Sequence, residues 1–116
     1  MNNFKELNVW NEAVKLAGQV YKLTATFPSE EKFGMISQLQ RALVSVSANI
    51  AEGAGRNNKG EFNQFLGIAQ GSASEVASLI YVSIEIKLVK ESEMTELLDL
   101  VNKIQNMLFK LRKTLN

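Results

Sequence analysis

The segment SVSANIAEGAGRNNKGEF, residues 45–62, contains the signals that decide the fold. Its first half has the composition of a helix, and a run rich in glycine and asparagine then interrupts that helix. Gly53 and Gly55 are predicted to take the left-handed conformation that closes a helix. Asn58 and Glu61 have the spacing of an N-cap residue and its acid at N3, so a second helix is predicted to begin there. The segment therefore predicts two helices joined by a tight turn.

Apolar residues recur every three or four positions on both sides of this segment, which is the amphipathic-helix pattern. Ser29 and Ser92, each beside acidic residues, are predicted to begin the second and the fourth helix. There is no strand alternation or internal repeat. The chain is therefore predicted to be all-α, a single domain over 1–116 with up-down-up-down antiparallel four-helix topology. The predicted helices cover residues 8–26, 31–54, 59–87 and 93–114. The residues expected to be buried are Trp10, Leu39, Leu43, Val46, Phe65, Leu79, Ile80, Leu97, Val101, Ile104 and Leu108.

The composition narrows the classes of function. The 116 residues include no cysteine and no histidine, which removes disulfides, thiolate nucleophiles and the usual zinc ligands. The net charge of +1 creates no strong global field, so a polyanionic partner would require a local patch or its repetition in an oligomer. No apolar run is expected to span a membrane, and the N-terminus lacks a secretory signal pattern. We expect a cytoplasmic protein without cofactor, metal or membrane contact.

A polar stripe follows the second predicted helix at steps of three and four residues. In a hairpin that turns near residue 58, Arg41 lies opposite Glu75, and Ser45 lies opposite the small residues Gly71 and Ser72. One interpretation is a solvated face with an incidental ion pair. The favoured one is a semi-buried network that fixes helix register or a subunit contact, since small residues allow close backbone approach. The residues of this network are Gln38, Arg41, Ser45, Asn49, Glu52 and Glu75.

A catalytic interpretation, with Glu52 and Glu75 as paired carboxylates, is disfavoured, because no nucleophile, metal ligand set or phosphate loop accompanies them. The motif GAGRNNKG, residues 53–60, is not a phosphate-binding P-loop, since its glycines and lysine are in the wrong order. It is best interpreted as a helix–helix turn, and the alternative adds phosphate contacts to that turn.

The last predicted helix is free of acids after Asp99, and its C-terminal end should return toward this turn. Six cations are then expected to share one end of the bundle, where they are candidates for phosphate contact. They are Arg56, Lys59, Lys103, Lys110, Arg112 and Lys113.

Three blocks of sequence resemble a known bacterial family. They are LNVWNEAVKLAGQVYKLTATFP (7–28), EKFGMISQLQRALVSVSANIAEGAGR (31–56) and EFNQFLGIAQGSASEV (61–76). The chain is similar to the four-helix bundle proteins found as reading frames inside intervening sequences of 23S ribosomal RNA genes. Gln40 departs from the family pattern, in which a second arginine often precedes Arg41, and this weakens any argument from basic charge on the second helix.

The resemblance implies an up-down bundle that assembles into a ring-like homo-oligomer, typically a pentamer. The chain also resembles the accessory variability protein of diversity-generating retroelements, which works with a reverse transcriptase and binds nucleic acid through a basic ring surface. No enzymatic activity is established for the family. We therefore expect a non-enzymatic scaffold associated with RNA or DNA, with a reverse transcriptase or another protein as a partner. The alternative is a protein-binding adaptor or structural oligomer without nucleic-acid contact.

Overall fold

Four α-helices form the chain in the computed structural model, which describes residues 3–115. Short 3-10 turns precede three of the helices, and the described residues contain no β-strand. The all-α prediction is therefore confirmed. The helices are α1 (Asn8–Thr24), α2 (Met35–Ala54), α3 (Lys59–Glu85) and α4 (Thr95–Lys113).

The predicted helix boundaries agree with these bounds within two residues, except at the start of α2. The predicted start is at residue 31, but Ser29–Glu31 forms a separate 3-10 turn. Gly34, with φ −106° and ψ −109°, interrupts the helix before Met35. The acidic signal still acts on α2, because a carboxylate oxygen of Glu31 accepts a hydrogen bond from the Met35 backbone N–H at 3.3 Å.

The prediction that Ser92 caps the last helix is wrong. Ser92 lies inside the 3-10 turn Glu91–Glu93, and Met94 occupies the N-cap position of α4 without a side-chain hydrogen bond. In this turn the Lys90 backbone N–H donates to the Glu93 carboxylate at 3.3 Å. Glu93 therefore stabilises the turn that leads into α4.

Each helix packs against two others, in the pairs α1–α2, α2–α3, α3–α4 and α1–α4. Cross-helix contacts establish the direction of two pairs. Ser45 meets Ser72, and Gly53 meets Phe62 further along α2, so α2 and α3 are antiparallel. Likewise Gln105 bonds to Ser74 and Arg112 to Asn63, so α3 and α4 are antiparallel.

The core occupies the space between the four helices, and nine of the eleven residues expected there are buried. Trp10 and Phe65 are partly exposed, so the prediction is wrong for these two. Trp10 packs edge-on against Phe4 near the start of the chain, with ring centroids 4.9 Å apart. Phe65 lies next to Gly53 and beneath the guanidinium of Arg56, at the turn end of the α2–α3 hairpin.

Glycine has a different role in the α2–α3 turn from the one predicted. No described glycine has a positive φ, and Gly55 closes α2 at φ −80° and ψ −5°. Gly53 lies within α2, where an added Cβ would be 2.8 Å from the Phe65 Cβ and 3.0 Å from the Phe62 Cδ1. Gly53 is therefore required by the close approach of two helices and not by a left-handed backbone.

The left-handed conformation occurs instead at the end of α3. Lys87 has φ 64°, and it is the one non-glycine residue with a positive φ among residues 3–115. The Lys87 N–H donates to the Ile84 carbonyl at 3.0 Å, and the Leu88 N–H donates to the Ser83 carbonyl at 2.9 Å. This is the Schellman pattern, which satisfies the last carbonyls of the helix and turns the chain toward α4.

We predict that Gly53→Ala lowers the free energy of unfolding by about 1–3 kcal/mol, because an overpacked contact forces α2 and α3 apart. Gly18→Ala is the matched control, since nothing lies within 4 Å of a Cβ added at Gly18 in α1. The control should raise stability by roughly 0.5–1 kcal/mol, the usual gain from replacing a glycine inside a helix. Urea unfolding of both variants at one protein concentration makes the comparison. Equal stability gains for the two variants would contradict the close contact at Gly53.

Candidate functional site

The centre of the polar stripe joins α2 to α3. Ser45 Oγ and Ser72 Oγ are 2.8 Å apart and share a hydrogen bond. Asn49 Nδ2 donates to the Ser45 carbonyl at 2.8 Å and to Ser45 Oγ at 2.9 Å. All three side chains are half-buried, so Asn49 satisfies acceptors that the α2–α3 contact removes from water. The placement of Ser45 opposite Ser72 matches the hairpin register expected from the sequence.

The two ends of the stripe are exposed. Arg41 and Glu75 line one shared depression, together with Gln38 and Ser45. No ion pair within 4.0 Å joins Arg41 to Glu75 inside the described chain. Glu52, at the other end of the stripe, bonds to Arg56 and not across to α3. An Arg41–Glu75 pair across a subunit boundary stays a prediction.

The turn at residues 55–58 presents cations beside the end of α4. The Arg56 Nη2 lies 2.6 Å from a carboxylate oxygen of Glu52, and its guanidinium lies 4.7 Å from the centre of the Phe65 ring. Lys59 is exposed at the first residue of α3. Thr114 and Leu115 line the same depression as Arg56 and Lys59, so the C-terminal end of α4 returns to this turn.

Asn58 fixes the start of α3 as the spacing predicts. Its Oδ1 accepts the Glu61 backbone N–H at 2.8 Å, and its Nδ2 donates to the Glu61 carboxylate at 3.0 Å. The N-cap is therefore confirmed, although the Glu61 carboxylate bonds to the Asn58 side chain and not to its backbone. Because Glu61 is held in the cap, this acid remains close to the cations of the turn.

Arg112 connects α4 to α3. Its Nε donates to Asn63 Oδ1 at 2.7 Å, and its Nη1 donates to Gln70 Oε1 at 2.5 Å. The guanidinium lies against the backbone of α3, where a Cβ added at Gly67 would be 3.1–3.2 Å from its atoms. Asn63 and Gln70 were not predicted from the sequence as site residues, although their spacing with Gly67 places all three on one stripe of α3.

The remaining candidate cations of α4 are not all at the same end. Lys103 Nζ lies 3.0 Å from a carboxylate oxygen of Glu12 on α1. Lys103 also precedes Lys113 by ten residues, which is about 15 Å along a helix. Lys110 and Lys113 are exposed, and Lys113 Nζ lies 4.9 Å from the centre of the Phe109 ring. The expectation that six cations share one end is therefore wrong for Lys103.

The outer surface of α3 is more apolar than a solvated helix requires. Contrary to the expectation from the sequence, α3 is long and apolar enough by length and composition to span a membrane, and 33% of its most apolar window is buried. Ile68 is 51% exposed and Val82 is 43% exposed. Gly71, Glu75 and Ser78 are exposed and share a stripe with them at helical spacing. One bundle therefore leaves uncovered a stripe of small and apolar residues on α3 with Glu75 at its centre.

Comparison with known proteins gives the same picture of the fold. The family model described as 23S rRNA-intervening sequence protein matches residues 5–110, which confirms the resemblance found in the sequence. The crystal structure of a protein of unknown function from the S23 ribosomal protein family of Bacteroides thetaiotaomicron is similar at a TM-score of 0.84. The two chains are 23% identical, over 90% of this chain and 98% of the other. No curated protein matches the sequence.

We predict that Arg112→Lys lowers the free energy of unfolding by about 1–3 kcal/mol, because lysine cannot donate to Asn63 and Gln70 from one planar group. Arg56→Lys is the matched control, since its ion pair with Glu52 is solvent-exposed and worth at most about 0.5 kcal/mol. Thermal and urea unfolding measure both variants. If Arg112→Lys unfolds like the wild type, Arg112 is a free surface cation and does not connect α4 to α3.

Proposed function

The chain belongs to the family of 23S rRNA-intervening sequence proteins, and from this premise we propose that it is a non-enzymatic, self-assembling scaffold for nucleic acid. Its phosphate contacts lie at the end of the bundle where α4 meets the α2–α3 turn. The observation that carries the proposal is this meeting point, where Arg56 and Lys59 share a depression with Thr114 and Leu115. The end of α4, whose last turn carries Lys110 and Lys113, thus lies beside the two cations of the turn.

The charge at this end is positive but modest in one copy. Lys59, Lys110 and Lys113 are exposed, and none of them forms an ion pair among the described residues. Glu52 and Glu61 reduce the local potential, and Glu52 also neutralises Arg56. Repetition of the patch around an oligomer would multiply the cations available to a single nucleic acid, which would allow a chain of net charge +1 to bind a polyanion.

Self-assembly is supported by the outer surface of α3. The exposed stripe at Ile68, Gly71, Ser78 and Val82 surrounds Glu75 and combines apolar side chains with small ones, which allow helices from two subunits to approach closely. Arg41 and Glu75 form no ion pair with each other inside one chain, although they line one depression. A neighbouring subunit would bury the stripe and supply their partners, in a ring of five copies as the family resemblance implies.

The non-enzymatic part of the proposal rests on how the polar side chains are used. Ser45 bonds to Ser72 of α3 and to Asn49 of its own helix, and Arg112 bonds to amides of α3. These bonds stabilise α2 and join helices, and their partners are not arranged around a reacting group. The proposed setting is the cytoplasm, and the proposed protein partner is a nucleic-acid-processing enzyme such as a reverse transcriptase.

We predict binding to DNA and RNA at about 50 mM salt and a steep loss of affinity by about 200 mM, because each phosphate contact releases counterions. The triple variant Lys59→Glu, Lys110→Glu, Lys113→Glu should lose binding at both salt concentrations. Fluorescence anisotropy with labelled oligonucleotides measures the affinities.

The matched control reverses three exposed lysines elsewhere on the bundle, with the substitutions Lys15→Glu, Lys22→Glu and Lys90→Glu. Both triple variants change the net charge by the same amount, so only the position of the charge differs. The control should retain most of the affinity of the wild type. Equal losses in the two variants would show a response to net charge alone, and no binding by the wild type at about 50 mM salt would favour the protein-adaptor alternative.

We also predict that Ile68→Glu reduces the oligomer to smaller species, because a carboxylate in the subunit contact is desolvated without a partner. Tyr81→Glu is the control, since Tyr81 is a similarly exposed residue of α3, 59% accessible, outside the apolar stripe. Light scattering coupled to size-exclusion chromatography gives the mass of each variant. A wild-type mass equal to one chain, or an unchanged mass for Ile68→Glu, would show that the stripe is not the contact.

A further inference from the structure

A depression between α3 and α4 lies apart from the α2–α3 turn and has its own chemistry. It is lined by Asn63 and Gln70 of α3 and by Phe109, Arg112 and Lys113 of α4. Two of these five side chains are cationic, and the described residues place no carboxylate in the lining. The Phe109 ring is 54% exposed, although α4 buries its other large apolar residues in or against the core.

The polar groups of this depression that remain free for a ligand are hydrogen-bond donors. A guanidinium has no acceptor, so the contacts of Arg112 require that the amide oxygens of Asn63 and Gln70 point toward it. The amide NH₂ groups are then the atoms left for a ligand. Arg112 Nη2 and Lys113 Nζ add charged donors beside them. A complementary ligand is therefore rich in acceptors and negatively charged.

Phe109 adds a second requirement that a free anion does not meet. A flat apolar group can stack on an exposed aromatic ring. Lys113 Nζ lies over one face of the Phe109 ring, 4.9 Å from its centre. A nucleotide combines both parts, since its base stacks and its phosphate accepts hydrogen bonds from cations and amides. In a duplex the base faces are covered by neighbouring base pairs, so a base is free to stack only in a single strand.

We propose that this depression binds single-stranded nucleic acid, with one base stacked on Phe109 and the adjacent phosphate held by Arg112 and Lys113. The inference rests on the proposed nucleic-acid function and names the strand type and the residue that selects it. Arg112 is suited to this role because its two bonds to α3 hold the guanidinium in place before a ligand arrives. Lys113 is exposed, and its Nζ lies beside the Phe109 ring, next to the position proposed for the phosphate.

Beyond this depression a further bond joins the two helices, since Ser74 Oγ of α3 accepts a hydrogen bond from Gln105 Nε2 of α4 at 2.7 Å. On α4 the residues from Leu100 to Lys113 include no acid, so the approach of a phosphate backbone meets no repulsion from this part of the helix. This stretch of α4 therefore adds no negative charge beside the depression.

The test removes the aromatic ring while keeping an apolar, uncharged side chain. Phe109→Leu should weaken binding of oligo(dT) and oligo(U) by about 5- to 150-fold, the range that corresponds to loss of one stacked base. Phe109→Tyr, which keeps the aromatic face, should bind within a few-fold of the wild type. Binding of a duplex of the same length should be unchanged in both variants. Phe33→Leu is the matched control, since Phe33 is 90% exposed and lies outside the depression.

The outcomes separate this inference from the proposed function. If the wild type binds single strands and Phe109→Leu binds them equally well, the stacking site is overturned while the phosphate contacts stand. If Phe109→Leu weakens duplex and single strand alike, the ring has no role in strand selection and the inference fails. If the wild type binds no nucleic acid at about 50 mM salt, both proposals fail together. Preferential binding of an acidic peptide at this groove would likewise overturn it.

Discussion

The close contact between α2 and α3 is the constraint on which the other features of the bundle depend. At the turn, Gly53 leaves no space for a Cβ beside Phe62 and Phe65. Further back in α2, Ser45 and Ser72 share a hydrogen bond of 2.8 Å across the same interface. The small residues of this interface permit the close approach of the two helices. The hydrogen bond between the Ser45 and Ser72 hydroxyls avoids the free-energy cost of leaving them unsatisfied in the interface. The contact fixes the register of the hairpin, and the register decides where the turn and the end of α4 meet.

The position of α3 follows from this contact and explains its composition. One face of α3 packs in the core, a second meets α2, and a third receives the guanidinium of Arg112 over Gly67. These contacts account for part of the apolar composition of α3, but only 33% of its most apolar window is buried within one bundle. The same composition gives α3 the length and apolar character of a membrane span. The side that a single chain leaves open, at Ile68 and Val82, is the side proposed for the subunit contact.

Much of the fold was predictable from the sequence, because helices of this length have a strong apolar period and end at identifiable residues. Asn58 caps α3 as predicted, since capping depends only on residues three positions apart. The role of Gly53 was not predictable, because local propensity favours a glycine near a helix end for its backbone, whereas the structure requires it for a distance between helices. Arg112 was missed as a structural residue for the same reason, since its partners Asn63 and Gln70 are distant in the sequence. The sequence shows that Arg112 is positively charged. Only the packing of α4 against α3 shows that its guanidinium is already hydrogen-bonded to Asn63 and Gln70.

The candidate site illustrates why a count of cations is a poor guide to a nucleic-acid surface. Lys103 belongs to the basic half of α4, yet its ion pair with Glu12 joins α4 to α1. Arg112 is also bonded within the bundle, but its partners are neutral amides, so its full positive charge remains while its position is fixed. A fixed cation beside an exposed ring loses little conformational entropy when a ligand binds, in contrast to a free lysine that must be ordered. The two bonds of Arg112 that stabilise the α3–α4 contact therefore also hold its guanidinium in place beside Phe109 for a phosphate. Arg112 can have both a structural and a binding role because Asn63 and Gln70 carry no charge that would neutralise it.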